Sequence, residues 1–503
     1  MAQQFWVPHP TEVWGVAVEV EGGESYRLLK AFDSATEEDD LTFSPNATER
    51  QLIKPILDLS GLQGVDNICG LSEVTEASVL QTVRQRYRDG LIYTNVGRIL
   101  LSLNPFQFLP VYGEEIVAKY LLSDDPYSLQ PHVYQIAADA FKSVSEEGTP
   151  QSALITGESG AGKTETTKLL LQFLAVAGGR KVRLGGRQDA VSGADGSDED
   201  NSIERKLLEA NPVLEAFANA STTRNPNSSR FGKWVEVIFS DKCVVMGARI
   251  TSYLLEVPRV VGHATGERNF HVFYQLLEGL KDSLKGLQTD YQLSTEPASF
   301  SYLQPFDPRS RINDAEGLEE LKHALLTLGF RAKQQNDLFS IVAALLHLGC
   351  ICFVPDSGLL ELFVTRPLKT GSEVIKAVLA PEKAAAARDG FAQLVYSCLF
   401  SWLIARVNES LQPPPQPCAL ETRMVGILDI AGFESFVRNG FEQLCINLSN
   451  EKLQNHFNQD IFLKELEDYE AEGLQGLNVS FQDNAQVLDA IEGKGGAPNA
   501  VVN

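Results

Sequence analysis

Apolar residues come in short bursts over the first fifty positions: Phe5, Trp6 and Val7, then residues 14–20, then residues 26–29. Turn-forming stretches such as residues 21–24 separate them. Bursts of this length with glycine and acidic punctuation predict strands of a small antiparallel module, β-barrel-like, over residues 1–55. The acidic run at residues 37–40 predicts a solvated loop. From about Leu71 the pattern changes to alternating helices and strands. A 3.6-residue period predicts an amphipathic helix over 76–88, and a further helix is expected over 132–144. Continuous apolar runs predict buried strands at 99–103, 152–156 and 424–430, and strands at 233–239 and 248–255 form a plausible hairpin. Residues 341–354 read as a buried helix running into a strand. The alternation predicts an α/β core with a mixed central sheet flanked by helices, occupying residues 60–492. Three stretches break the pattern: a Gly/Ser/Asp-rich segment at 178–201, a proline run at 412–417 and a Gly/Ala/Pro tail at 493–503. They predict a loop, a surface connection and a disordered end.

The chain has 503 residues, of which 44% are hydrophobic and 22% charged, and its net charge is −23. That is enough for a large core, and the negative balance excludes the basic footprint of a non-specific nucleic-acid binder. Seven scattered cysteines include no C-x-x-C pair, which argues against a thiolate metal site and suits a reducing compartment. The N-terminus shows no signal-peptide pattern, and the apolar stretch 341–354 is too short for a membrane span. The expected location is cytoplasmic.

The chemistry-bearing segment is Gly157-Glu158-Ser159-Gly160-Ala161-Gly162-Lys163-Thr164, a phosphate-loop pattern between a predicted strand and a predicted helix. Glycines let backbone N–H groups curl around a polyphosphate, Lys163 reaches its outer oxygens, and the Thr164 hydroxyl is placed to ligate Mg²⁺. Glu165 follows on the helix. Two further segments extend the site. Asn225-Pro226-Asn227-Ser228-Ser229-Arg230-Phe231-Gly232-Lys233 offers hydroxyls and a guanidinium. In Asp429-Ile430-Ala431-Gly432-Phe433-Glu434 a strand ends in a carboxylate, followed by a glycine that permits close backbone approach. Glu434 is free to pair with a cation such as Arg230.

These three segments resemble the phosphate loop, switch I and switch II of the myosin motor head, in the same order. Asn104, Pro105 and Tyr112 resemble its adenine-side loop, residues 267–274 match a further segment, and residues 441–470 resemble its relay helix. In that helix Leu453, Phe457 and Ile461 share one face. The resemblance implies an ATP-binding, Mg-ATP-hydrolysing motor domain that acts on actin filaments, in the cytoskeleton. Gly157 to Glu165, Asn104, Pro105, Tyr112, Asn225 and Asn227 would hold ATP. Thr164 and Ser229 would ligate Mg²⁺, with Asp429 acting through water. Gly432 would grip the γ-phosphate through its N–H, Ser228 would place the attacking water, and Arg230 with Glu434 would form a gate between the switches. Residues 363–376 resemble a surface loop that contacts actin. There Glu373 lies sixteen residues before Asp389, in a region where the family carries an acid or a phosphorylatable hydroxyl.

The same resemblance implies that a whole head continues past Glu492 with another sheet strand, a converter and a light-chain-binding lever. The tail does not resemble that continuation, so the expectation is a chain truncated before its central sheet is complete, with no light-chain site. Four function classes follow: a myosin-type ATPase, a kinesin-like motor, a nucleotide-binding fragment that completes no motor cycle, and a small-molecule kinase. The wording around Asp429 disfavours the kinesin-like reading, and no visible acceptor site supports a kinase.

Overall fold

The computed structural model describes residues 3–9, 13–20, 25–29, 42–57, 63–179, 203–305, 312–353, 365–370, 373–413, 423–435, 439–474 and 483–493. The acidic run 37–40, nearly all of the Gly/Ser/Asp-rich segment, most of the proline run and the tail after Gly493 lie outside them. The chain divides into two compact units, Met1–Asp139 and Ala140–Asn503.

In the first unit, strands β1 (Gln4–His9), β2 (Val13–Glu19), β3 (Tyr26–Leu28), β4 (Thr42–Phe43) and β5 (Lys54–Pro55) form one sheet of order β4-β3-β2-β1-β5. All its pairings are antiparallel. The expectation of a barrel-like module is corrected here: β4 and β5 are opposite edges that do not pair among the described residues, so the sheet stays open. Trp6, Val16 and Ile56 form its core with Ala77 from the helix Glu76–Arg88. That helix begins on a Thr75 cap, whose side chain accepts the Ser78 N–H. At its other end Arg86 is buried, donates to the Tyr93 carbonyl and pairs with Asp66. This fixes the hairpin β6 (Tyr93–Val96) and β7 (Ile99–Ser102), which leads to Asn104 and Pro105.

The second unit is built on β8 (Gln151–Ile155), β11 (Gly232–Phe239), β12 (Val245–Tyr253) and β15 (Arg423–Asp429). Their order is β12-β11-β15-β8; β15 runs parallel to β8, and the other two pairings are antiparallel. The sheet is therefore mixed. The short pair β9 (Asn219–Ala220) and β10 (Ser228–Ser229) closes a loop beside it, and β13 (Thr365–Thr370) pairs with β14 (Glu373–Val378) as a separate hairpin. Helices Lys163–Gly179, Ile203–Ala218 and Pro381–Leu411 pack against the mixed sheet.

Helix Pro381–Leu411 is absent from the sequence-based expectations. By length and composition it could cross a membrane, yet it serves as a core helix. Tyr396 is fully buried, stacks on Phe270 with ring centres 5.1 Å apart, and donates its hydroxyl to the Phe217 carbonyl at 2.7 Å. Phe400 meets Phe231 edge-on at 5.4 Å, so this helix supports the segment that leads into β11. The expected strand after helix Ala332–Gly349 does not appear: residues 351–353 are irregular, and Val354 lies outside the described residues. The relay-like helix is interrupted. It runs as Phe441–Asn458, makes a π-helical turn over Gln459–Leu463 and resumes as Lys464–Ala471.

Candidate functional site

Parallel pairing of β8 with β15 sets the site, because it brings Ile155 level with Asp429 at the carboxyl ends of adjacent strands. The phosphate loop leaves β8, and the segment containing Gly432 leaves β15. Gly160 and Gly162 have φ of 85° and 93°, which side-chain-bearing residues rarely adopt. These dihedrals turn the loop into the helix that starts at Lys163. The Lys163 ammonium lies within the loop and donates to the Gly157 and Glu158 carbonyls, both at 2.8 Å. Burial lowers its pKa, although Asp429, Glu434 and Glu158 act in the opposite direction.

Three carboxylate arrangements surround this loop. Asp429 is buried, accepts the Thr164 hydroxyl at 3.1 Å and faces Lys233 Nζ at 3.6 Å. Lys233 also donates to Asn211 Oδ1 at 3.2 Å. Glu434 receives Arg230 Nη1 at 2.9 Å, and Arg230 Nε donates to Glu256 at 2.7 Å. Glu256 is shared with Arg259, whose Nε donates at 2.6 Å. Burial opposes charge on Arg230, but Glu256 and Glu434 outweigh it and hold the guanidinium above its ordinary range. Burial likewise opposes the Glu256 carboxylate, and Arg259 and Arg230 overcome it and hold that group low.

The phosphate loop and the two switch-like segments meet. Ser159 Oγ lies 3.4 Å from Ser228 Oγ, and Arg230 Nη1 donates to Ser228 Oγ at 3.3 Å. A Cβ on Gly432 would stand 1.9 Å from the Gly157 carbonyl oxygen and 3.0 Å from Lys163 Nζ. Only glycine fits that approach. Helix Phe441–Asn458 holds the segment from behind: Asn447 accepts the Glu434 N–H and donates to the Glu434 carbonyl, both at 2.8 Å, and Asn450 donates to the Ala431 carbonyl at 2.9 Å.

Other expected site residues have local roles. Ser229 Oγ donates to the Phe231 carbonyl at 3.0 Å. Asn225 shapes its loop by accepting the Asn227 N–H at 2.9 Å. Ala161 N–H donates to the Glu158 carbonyl at 3.2 Å. Glu165 pairs with Lys168 one turn on, at 2.9 Å. Asn104, Pro105 and Tyr112 belong to the first compact unit. There Asn104 accepts the Phe106 N–H at 2.9 Å, and the Tyr112 and Tyr93 hydroxyls lie 2.9 Å apart.

Sequence reasoning gave no individual role to Glu256, Lys233 or Asn447, although the last two lie within segments it singled out. Lys233 carried a signal, since a lysine at the head of a largely apolar strand and buried on folding must find partners. Glu256 and Asn447 carried none, because only the tertiary fold brings them to Arg230 and Glu434. Among the described residues no cluster of His, Cys, Asp and Glu has the arrangement of a protein-only metal site. The hydroxyl and carboxylate donors Thr164, Ser229 and Asp429 instead suit a hard cation that shares its shell with phosphate and water.

Residues 65–360 and 354–498 match the family model of the myosin head (motor domain). Myosin-6 of Arabidopsis thaliana is 37% identical over 531 residues, covering 99% of this chain and 33% of that protein. Myosin-J heavy chain of Dictyostelium discoideum is 37% identical over 483 residues, covering 86% of this chain and 21% of that protein. Myosin-11 of Arabidopsis thaliana is 39% identical over 472 residues, covering 88% and 29% respectively. The chain thus spans a third or less of the length of these relatives.

Proposed function

We propose that this chain, which belongs to the myosin head (motor domain) family, binds Mg-ATP and hydrolyses it, and that it does so as part of a motor acting on actin filaments. The observation that carries the proposal is the closure of Gly432 on Gly157 together with the Arg230–Glu434 pair. The loop and both switch-like segments meet at this point, which supports a γ-phosphate site between them.

In this reading Lys163 and the loop N–H groups offset phosphate charge, and the Gly432 N–H faces the terminal phosphate. Thr164 and Ser229 would hold Mg²⁺ directly and Asp429 through water; when bound, the ion neutralises phosphate oxygens and draws charge toward the leaving group. Ser228 and the gate pair exclude bulk water and orient one molecule for attack. Phosphoryl transfer needs this positioning and charge neutralisation rather than a covalent catalyst. Asn104, Pro105 and Tyr112 are proposed to hold the base. Loss of the terminal phosphate would free the Gly432 segment, and Asn447 and Asn450 would carry that change into helix Phe441–Asn458.

The region around Glu373, in the hairpin β13–β14, is the proposed actin contact. The motor reading also supplies the cytoplasmic, cytoskeletal location. Steady-state phosphate release by the chain with Mg-ATP, with and without filamentous actin and beside Arg230→Ala, tests the reading. Release that actin stimulates and the substitution abolishes supports it. A folded chain that binds ATP but releases no phosphate would instead be a nucleotide-binding fragment that completes no cycle.

A further inference from the structure

Behind the switch-like loop lies a polar knot that the phosphate chemistry does not use. The Asn227 amide makes three side-chain bonds, each to a different element of the second unit. Its Oδ1 accepts from Asn219 Nδ2 at 2.9 Å and from His271 Nε2 at 3.1 Å, and its Nδ2 donates to Glu215 Oε2 at 3.0 Å. The other Glu215 oxygen meets Lys168 Nζ at 2.7 Å. Lys168 belongs to the helix that follows the phosphate loop, Glu215 to the helix Ile203–Ala218, and His271 begins the helix His271–Gly279.

The protonation states agree with this arrangement. Burial favours the neutral form of Glu215, but Lys168 dominates and keeps it a carboxylate below its ordinary pKa. Burial, helped by Arg268, lowers His271 to about 4. The neutral ring then carries its proton on Nε2, where Asn227 Oδ1 requires a donor.

We propose that Asn227 is a positioning residue, and that Glu215 and His271 latch its amide so as to fix the switch-like loop against the phosphate-loop helix. The inference rests on the nucleotide reading of the site and assigns Asn227 to the scaffold, not to phosphate. Both oxygen lone pairs of its amide, and one of its two N–H groups, are already committed to protein partners. The latch gives Lys168 a second function beyond its helix: it links the phosphate-loop helix, through one carboxylate, to the loop carrying Ser228, Ser229 and Arg230.

The test compares the 503-residue chain with Glu215→Ala, Asn227→Ala and the double variant. Asn227 lies on an exposed loop, so its replacement leaves the core intact. Hydrogen exchange of peptides spanning 219–231 is read first, without nucleotide. Each single variant is expected to raise that exchange about tenfold, with the double variant no faster than the faster single. With Mg-ATP, each is expected to lower kcat about tenfold or more while KM moves by less than about threefold. Additive exchange effects, or unchanged exchange with KM raised about tenfold by Asn227→Ala alone, would overturn the latch and make Asn227 a phosphate ligand. If wild-type chain hydrolyses no ATP, the hydrolysis reading fails by itself, and the exchange measurement, made without nucleotide, still decides the latch.

Discussion

The Arg230 guanidinium donates to the Glu434 carboxylate at 2.9 Å across 204 residues of sequence, with both side chains buried. Its Nε is held at the same time by Glu256 at 2.7 Å. Removing the cation leaves two buried carboxylates without it, an imbalance that in other proteins costs about 3–5 kcal/mol. Arg230→Ala is therefore expected to lower the thermal midpoint as well as stop hydrolysis. Glu434→Gln keeps the Arg230–Glu256 pair, and is expected to retain most of the stability while losing at least about a hundredfold in rate. Calorimetry beside phosphate release checks the split, and equal stability losses in the two variants would contradict it.

Gly432 approaches Gly157 more closely than any side chain allows. Gly432→Ala should hold the two segments apart, with nucleotide affinity kept within about tenfold because Lys163 and the loop are unchanged. A fluorescent ATP analogue measures binding, and acid quench measures cleavage. Wild-type cleavage in this variant would mean that the approach plays no part in the reaction.

Asn447 is the doubly bonded clasp between helix Phe441–Asn458 and Glu434. Asn447→Ala removes both bonds and exposes a backbone N–H and C=O that must find water, at a cost of about 1–3 kcal/mol. The expected outcome is hydrolysis slowed less than in Glu434→Gln but with weaker actin stimulation. Comparing actin-stimulated with basal release checks this, and an unchanged ratio would remove Asn447 from the coupling path.

Two histidines set an acid limit on stability. Burial lowers His132 to about 4 despite the Val111 carbonyl that accepts from it, and lowers His271 to about 4. Both ordinarily titrate near 6.5. Between those values the unfolded chain binds protons that the folded chain refuses. The histidine contribution is thus complete above pH 6.5 and lost as pH falls toward 4. The denaturant midpoint should be lower at pH 5 than at pH 7, and His132→Gln should flatten that fall. A midpoint independent of pH over this range would show that these rings titrate normally.

The sequence was readable where local pattern and chemistry coincide. Alternation marked β1 to β3, the 3.6-residue period marked helix Glu76–Arg88, and the wording of three segments marked Lys163, Thr164, Arg230, Asp429, Gly432 and Glu434. It was silent where partners meet only after folding, as with Glu256 beside Arg230, Asn447 beside Glu434 and Glu215 beside Asn227. Helix Pro381–Leu411 escaped because apolar residues also stand on its exposed face, Phe391, Leu394 and Trp402 among them, and blur the stripe that its buried residues form. The π-helical turn at Gln459–Leu463 escaped because one extra residue in a helical turn leaves no compositional mark. The open edges of the N-terminal sheet could not be foreseen, since a run of short strands fits an open sheet and a barrel equally well.

The central claim is that closure of the Arg230–Glu434 gate, rather than nucleotide binding, controls cleavage. A single-turnover acid quench with limiting Mg-ATP, on wild-type chain and Glu434→Gln, tests it most directly. The account predicts that both proteins bind the ATP, that wild type converts it within one turnover, and that Glu434→Gln leaves it uncleaved. Cleavage at the wild-type rate in Glu434→Gln would contradict it.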